Sequence, residues 1–324
     1  MKSILIISYS KDYHVEKVLE IFKRNQTKCF ILELDNFPKN YLLKHAVSES
    51  NISVIIENTT TQEILRFSNI GAVWLRKPAN FSYHLSDMDQ SIQDFADKET
   101  EHALFSALYA LDCFWLSHPK YLRASMWKGE QLQRALTFGF RIPDTLISND
   151  PDEIRTFFLE HQKVVFKAMS DSVIAEEENE GQGVATTLID AQMLDDCDSL
   201  RLLPNQFQAY IEKAYELRVT IIAGSVFSAK LDSQVYPETQ IDCRNLNVKI
   251  PMSVYSLPKK VEQACLDFVN SYKLNYSAID LIVTPNGDYV FLENNPNGQF
   301  RFIEENVPEL TITECLVETL EKAC

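Results

Sequence analysis

Two acidic residues near the end of the chain, Asp280 and Glu293, could bind a metal ion together. Each belongs to an apolar run, at 277–283 and 289–293, and a Pro-Asn-Gly sequence separates the runs. This pattern predicts a β-hairpin, with Thr284 paired to Gly287 across a two-residue turn. Because strand side chains alternate between faces, both carboxylates then lie on one face of the hairpin.

The predicted register places Asp280 opposite Phe291 and Ile279 opposite Leu292. Glu293 is then diagonal to Asp280, and Asn295 continues on the same side if the strand runs on. The other face carries only apolar residues: Ile279, Leu281, Val283, Val290 and Leu292. Two carboxylates and an amide form an oxygen-rich site that suits Mg²⁺ with nucleotide phosphates. The alternative is a solvated hairpin face, followed by a turn of Asn, Pro and Gly residues.

The composition is that of an acidic globular protein. The length of 324 residues predicts two or three domains, or one bilobed unit, and the 45% of hydrophobic and 24% of charged residues are ordinary for a globular protein with a sizeable core. The net charge of -15 disfavours nucleic acid and anionic membranes as partners, and no apolar run could span a membrane. The seven scattered cysteines form no Cys-x-x-Cys, so we expect free thiols and a reducing, cytoplasmic location.

An α/β domain is expected over residues 1–117. Apolar runs at 4–8, 29–34, 53–56 and 72–75 predict strands. A long helix is predicted at about 88–112, and its apolar side is expected to contain Phe95, His102, Phe105 and Tyr109. No glycine-rich loop follows the first strand, which argues against a Rossmann dinucleotide site and a Walker A loop.

Two further units are expected, at 118–213 and 214–324. The first should contain a helix at about 120–138, another that begins at Asp150-Pro151, and an acidic, flexible-looking loop at 171–184. The second should be rich in strands and should hold the metal site. The fold class is therefore α/β, with α+β elements in the later part.

In these residues the chain resembles the ATP-grasp ligases. Asp280 and Glu293-x-Asn295 match the family's metal ligands, and Lys128 and Lys167 match its two ATP-contacting lysines in the expected order. The resemblance implies an N-terminal pre-ATP-grasp domain, a small central lobe with a lid at 171–184, and a strand-rich C-terminal lobe. The implied cofactors are ATP and two Mg²⁺ ions.

The same resemblance implies roles for residues between these motifs. The strand that contacts adenine would include Gln208, Tyr210, Ile211 and Glu212, and Glu216 would bind the ribose. Arg218 and Arg244 would act near the γ-phosphate and the acyl phosphate. As alternatives, Lys128 is a surface helix lysine, Lys167 extends from a strand end to solvent, and the arginines form surface ion pairs.

A narrower resemblance connects the chain to the graspetide (microviridin-type) peptide maturases. It rests on Trp74-Leu75-Arg76-Lys77-Pro78, on 215–219 and on 293–300. It implies that Asp or Glu side chains of a ribosomal precursor peptide are joined to Ser/Thr hydroxyls as esters or to Lys amines as amides. The residues alone do not choose between ester and amide.

Precursor recognition is assigned by analogy with that family. Arg76 is expected to meet substrate carboxylates or to form a strand-end ion pair. A leader peptide is expected near 190–207, against Leu202, Leu203 and Phe207, unless these are core residues. A homodimer is an analogy only. Competing interpretations are a RimK-like ligase that adds amino acids, a nucleotide-binding regulator without turnover, and a scaffold.

Overall fold

The computed structural model describes residues 2–77, 79–85, 87–170, 173–176, 179–244 and 248–324, with the backbone only between 173 and 183. The N-terminal part has two sheets. Its elements are β1 (Ser3–Ser8), α1 (Tyr13–Asn25), β2 (Cys29–Glu33), β3 (Tyr41–Ser48), β4 (Asn51–Asn58), β5 (Ile64–Arg66), β6 (Ile70–Leu75), α2 (Gln90–Tyr109) and β7 (Phe114–Trp115).

The first sheet is parallel, in the order β2-β1-β6-β7, and confirms the predicted α/β character. The strands β1 and β6 are almost wholly buried and apolar, as expected for central parallel strands covered on both faces. The second sheet, β3-β4-β5, was only partly predicted. Strand β3 is mostly exposed and therefore lacks the apolar run that marks a buried strand.

The helix α2 has the predicted position but presents a different face to the core. Its buried residues are Leu104, Ala107 and Leu108. Phe95, His102 and Tyr109 are exposed, and Phe105 is half-buried. The predicted apolar side was therefore wrong, because small and aliphatic side chains pack against the sheet and leave the larger rings outside.

The central part is an antiparallel sheet in the order β12-β9-β13-β8, covered by short helices. The predicted helix at 120–138 is divided in two, and Asp150 caps the next helix as expected. The elements are α3 (Pro119–Ala124), α4 (Lys128–Thr137), β8 (Thr145–Ser148), α5 (Pro151–His161), β9 (Val164–Lys167), β10 (Val173–Glu176), β11 (Asn179–Gly183), β12 (Thr187–Leu188), α6 (Cys197–Leu202) and β13 (Asn205–Ala209).

The C-terminal part is a five-stranded antiparallel sheet in the order β16-β15-β14-β17-β18. Its elements are β14 (Tyr215–Ile222), β15 (Ser225–Leu231), β16 (Met252–Val254), α7 (Lys259–Ser271), β17 (Tyr276–Val283), β18 (Tyr289–Asn295), α8 (Arg301–Asn306) and α9 (Ile312–Lys322).

The predicted hairpin between β17 and β18 exists, but its register is different. Gly287 adopts a φ of +83° and Thr284 pairs with Asp288, so the turn has an extra residue and Leu281 lies opposite Phe291. A bulge at Leu292 then shifts the pairing again. The buried face consequently contains Phe291, whereas Leu292 lines a cavity.

The helix α9, near the end of the chain, packs against elements from its beginning. It packs against α1 and β6, and Leu316, Val317 and Leu320 share one apolar cluster with Ile4 and Ile6 of β1.

The predicted divisions between domains at 117/118 and 213/214 stay predictions. Among the helices that the structure describes, none is long and apolar enough to cross a membrane.

Candidate active site

One large cavity of about 2020 Å³ lies between the central sheet, the C-terminal sheet and α2. Of the residues singled out from the sequence, it brings together Lys128, Lys167, Gln208, Tyr210, Ile211, Glu216, Arg218, Arg244, Asp280, Glu293 and Asn295. Glu212 is exposed, does not line this cavity, and follows the end of β13.

The two carboxylates lie directly opposite each other, because the Leu292 bulge pairs Asp280 with Glu293. Asn295 Nδ2 donates to Asp280 Oδ2 at 2.9 Å and to Glu293 Oε1 at 3.4 Å. A bulge beside a site commonly re-aims a side chain in this way. The three residues therefore converge more closely than the predicted diagonal arrangement.

Each carboxylate has a basic partner. Arg218 Nη1 donates to both oxygens of Asp280 at 2.7 Å, and Lys128 Nζ lies 2.7 Å from Glu293 Oε2. Burial would raise the pKa of Glu293, but Lys128 and Lys167 outweigh it and hold that pKa well below its usual range. Burial raises the pKa of Asp280, although Arg218 opposes the rise.

The donor set fits Mg²⁺ in its chemistry. It offers two adjacent carboxylates, and an amide whose oxygen faces the same point once the group is turned over. Among the described residues, no three or more His, Cys, Asp or Glu side chains form a metal-binding group by themselves. The two carboxylates here therefore need the Asn295 amide as a third ligand.

The start of α4 is attached to the strand that carries Glu293. Gln131 Nε2 donates to the Asn294 carbonyl at 2.9 Å, and the Asn294 N–H donates to Gln131 Oε1 at 2.9 Å. Ser277 Oγ donates to Asn294 Oδ1 at 2.5 Å. These contacts fix the spacing between Lys128 at the first turn of α4 and Glu293 on β18.

The backbone of residues 297–300 is fixed by side chains rather than by a strand or helix. Three successive carbonyls accept from Arg76 at 2.9 Å, Tyr276 at 2.7 Å and Arg218 at 3.4 Å. A Cβ atom at Gly298 would lie 2.8 Å from the Ala278 Cβ, so only glycine permits this approach. The segment that follows Asn295 is therefore fixed in position.

His14 completes this attachment from the N-terminal domain. The Phe300 N–H donates to His14 Nε2 at 3.4 Å, so Nδ1 of the neutral ring carries the proton and donates to Asp12 at 3.2 Å. Burial lowers the pKa of His14. Burial alone would raise the pKa of Asp12, but the hydrogen bond from His14 and the charge of Arg76 lower it to about 2.

Arg76 lies away from the cavity lining and is 1% exposed. Its guanidinium Nε is 3.6 Å from Asp12 Oδ2. This position matches the strand-end ion pair and not a contact with substrate carboxylates, because the side chain is enclosed between two domains. Pro78 of the same motif lies outside the described residues.

The predicted leader residues separate into two groups. Leu202 is 79% exposed and Leu203 52% exposed, whereas Phe207 is buried in a cluster with Ile154 and Val164. Phe207 points away from solvent because β13 is central in its sheet. It is a core residue, so its assignment as a leader contact was wrong.

The entrance beside the predicted lid contains Arg244 and Asp242. Arg244 donates to both Asp242 oxygens, and the Thr186 N–H donates to Asp242 Oδ2 at 2.9 Å. Burial alone would raise the pKa of Asp242, but these hydrogen bonds lower it to about 2. In the lid at 171–184, residues 171, 172, 177 and 178 lie outside the described part, as does Asn245.

Comparisons with known proteins place this geometry in context. Residues 3–123 match the family model described as MvdD pre-ATP grasp domain. The chain is 29% identical to the macrocyclase MdnC from Microcystis aeruginosa, which was solved with its precursor peptide MdnA, over 99% of both chains with a TM-score of 0.88. A comparison with curated proteins gives no match.

A second structure agrees with the first. The RiPP-associated ATP-grasp ligase from Chryseobacterium gregarium, in complex with ADP and a leader and core peptide, is 29% identical over 100% of this chain and 98% of that one, with a TM-score of 0.90. The macrocyclase MdnB from Microcystis aeruginosa is 26% identical, covers 99% of both chains and has a TM-score of 0.82. The chain therefore has the fold of the ATP-grasp ligases of the microviridin macrocyclase type.

The ligase contains site residues that the sequence did not reveal. Lys213 is buried, donates to Glu216 at 2.6 Å and to the Ile241 carbonyl at 3.2 Å, and lines the cavity. A lysine three residues before an acid was the available signal. Gln131, Tyr276 and His14 carried no such signal, because their partners are distant in sequence.

Proposed function

We propose that the ligase uses ATP and Mg²⁺ to join Asp or Glu side chains of a ribosomal precursor peptide to Ser/Thr hydroxyls or Lys amines, which closes macrocyclic esters or amides. The observation that carries this is the pairing of Asp280 with Glu293 at one end of a cavity that also contains Lys128 and Lys167. Relatives solved with precursor peptides favour this activity over amino-acid addition.

Asp280, Glu293 and Asn295 are proposed to hold two Mg²⁺ ions. Ions held there would supply positive charge that neutralises the phosphates of ATP. Lys128 and Lys167 are proposed to bind the α- and β-phosphates. Because Lys128 pairs with Glu293 and Arg218 pairs with Asp280 in this structure, the basic side chains already occupy the place where negative charge needs compensation.

Adenine is proposed to lie along residues 208–211, next to Leu292, with the ribose near Glu216. Gln208 is buried and donates to Thr145 Oγ1 at 3.1 Å, which fixes the end of β13. Lys213 holds Glu216 in place. Glu212 is exposed and outside the cavity lining, so only its backbone is proposed to contribute.

The substrate carboxylate attacks the γ-phosphate, ADP leaves, and an acyl phosphate forms. A hydroxyl or amine then attacks the acyl carbon, phosphate leaves, and one proton is released. Arg218 and Arg244 are proposed to stabilise the negative charge that develops on the phosphoryl group and the tetrahedral intermediate. The segment 171–184 is proposed to exclude water, which would hydrolyse the acyl phosphate.

The test uses a synthetic precursor peptide, MdnA, which the similar macrocyclase MdnC binds. Incubation with the ligase, ATP and Mg²⁺ should lower the mass of the peptide by one water for each crosslink, and mild base should open esters but not amides. A mass increase by one amino acid would indicate the RimK-like reaction instead. Peptide-independent ATP hydrolysis with no change in mass would contradict the proposal.

A further inference from the structure

The cavity is larger than a nucleotide site requires. Its volume of about 2020 Å³ exceeds the roughly 300–1,000 Å³ that is typical of small-molecule pockets. Beyond the proposed ATP and metal residues, the lining includes a set of side chains on and beside α2, which we call the α2 wall: Lys77, Glu101, His102, Phe105, Tyr109 and Arg123.

The α2 wall presents aromatic surface to the cavity, from the half-buried Phe105 and the exposed Tyr109. Tyr109 is 45% exposed, its ring lies 6.4 Å from that of Phe105, and it also contacts His118 edge-on at 5.1 Å. The opposite side of α2 packs the smaller Leu104, Ala107 and Leu108 into the core. Large rings that face a cavity rather than the core are typical of a binding surface.

The charge of the α2 wall is opposite to that of the molecule. Lys77 and Arg123 form no ion pair with any residue that the structure describes, and Glu101 is the acid nearby in the lining. The protein carries a net charge of -15, which repels acidic peptides at long range. Two unpaired basic side chains inside the cavity would attract a peptide carboxylate to this wall.

We propose that the α2 wall binds the acidic core segment of the substrate peptide while one of its carboxylates is activated; this rests on the proposed function. Phe105 and Tyr109 take apolar side chains of the peptide, and Lys77 and Arg123 bind neighbouring carboxylates. The wall is continuous with the catalytic residues, because α3 carries Arg123 and ends just before Lys128.

The experiment measures peptide-dependent ADP formation with synthetic precursor peptide MdnA as the probe. Tyr109→Ala and Phe105→Ala should each raise the KM for peptide at least roughly ten-fold and leave the KM for ATP unchanged. Arg123→Gln should raise the KM for peptide at low salt, and this difference should shrink in high salt, because exposed charges are screened. The melting temperature of each variant shows whether it folds. If Phe105→Ala is unstable, Tyr109→Ala still tests the inference, because Tyr109 is exposed.

Phe95→Ala and Lys120→Gln are the matched controls, since both residues lie on α2 or α3 but outside the cavity lining. Both should behave as the wild type. An unchanged KM for peptide in Tyr109→Ala, or an equal rise in the KM for ATP, would overturn the inference alone. A wild-type ligase that forms no ADP with this peptide would overturn the proposed function and the inference together.

Discussion

The two walls of the cavity are built on different principles. On the C-terminal sheet, the reactive side chains bind one another: Arg218 holds Asp280, Lys128 holds Glu293, and Asn295 bridges the two acids. On the α2 wall, Phe105 and Tyr109 present their rings to the cavity, and Lys77 and Arg123 form no ion pair with a described residue. The first wall is preorganised for one geometry, whereas the second can accommodate peptides of different sequence.

The largest effect is expected where the catalytic wall loses a charge. Glu293→Gln and Lys167→Ala should each lower ATP turnover by about 10³-fold or more, because each removes a group that balances phosphate or metal charge. ADP formation at saturating Mg²⁺ measures this. The exposed α9 pair supplies the controls, Glu318→Gln and Lys322→Ala. Near-normal turnover in both catalytic variants, with metal dependence retained, would refute the site assignment.

The cavity wall on the C-terminal sheet shows how much of the candidate site could be predicted from the sequence. Asp280, Glu293 and Asn295 were found because a hairpin is a local pattern and the acids interrupt its apolar runs. The register was missed because it depends on the positive φ of Gly287 and on a bulge at Leu292, which the alternation of residues does not encode.

Contacts between residues that are distant in the sequence were beyond the reach of local patterns. Arg76, His14 and Tyr276 meet residues 297–300 only after the chain has folded. The buried face of α2 was predicted wrongly for a related reason. The large rings suggested burial, but the smaller aliphatic side chains of α2 pack more closely against the sheet. Binding surfaces expose large apolar side chains that are buried elsewhere, so a single sequence does not distinguish them from core residues.

Support from the N-terminal domain should be measurable as a pH-dependent loss of stability. The pKa of Asp12 is lowered to about 2, below the ordinary value near 3.8, so its contribution is present above about pH 4 and is lost as the pH falls to about 2. Asp12→Asn should lower the free energy of unfolding at pH 7 by about 2.5 kcal/mol. Denaturant unfolding at each pH gives the difference from wild type.

That difference should disappear near pH 2. Asp94→Asn, on the exposed side of α2, is the control and should change stability by less than about 0.5 kcal/mol. A difference for Asp12→Asn that stays constant from pH 7 to pH 2 would mean that its charge does not stabilise the domain contact.

A smaller effect is expected from one hydroxyl that fixes the 297–300 backbone. Burial raises the pKa of Tyr276 to about 12, so the hydroxyl remains a donor to the Gly298 carbonyl at neutral pH. Tyr276→Phe should lower kcat about ten-fold, with little change in the KM for ATP, because the metal ligands lose a neighbouring restraint. Tyr255→Phe, which removes a hydroxyl bonded only to Tyr215 and Tyr289 among the described contacts, should retain wild-type kcat.

The smallest effect concerns apolar surface outside the cavity. Leu202 and Leu203 are exposed at the end of α6 and are predicted to contact the leader. Leu202→Ser should change the free energy of unfolding by less than about 0.5 kcal/mol, since the side chain buries little in the free protein. It should raise the KM for the full precursor a few-fold but leave that for a leaderless core unchanged. Leu159→Ser is the control, because Leu159 is similarly exposed on α5. If Leu202→Ser also raised the KM for the leaderless core, Leu202 would belong to the surface that binds the core and not to the leader site.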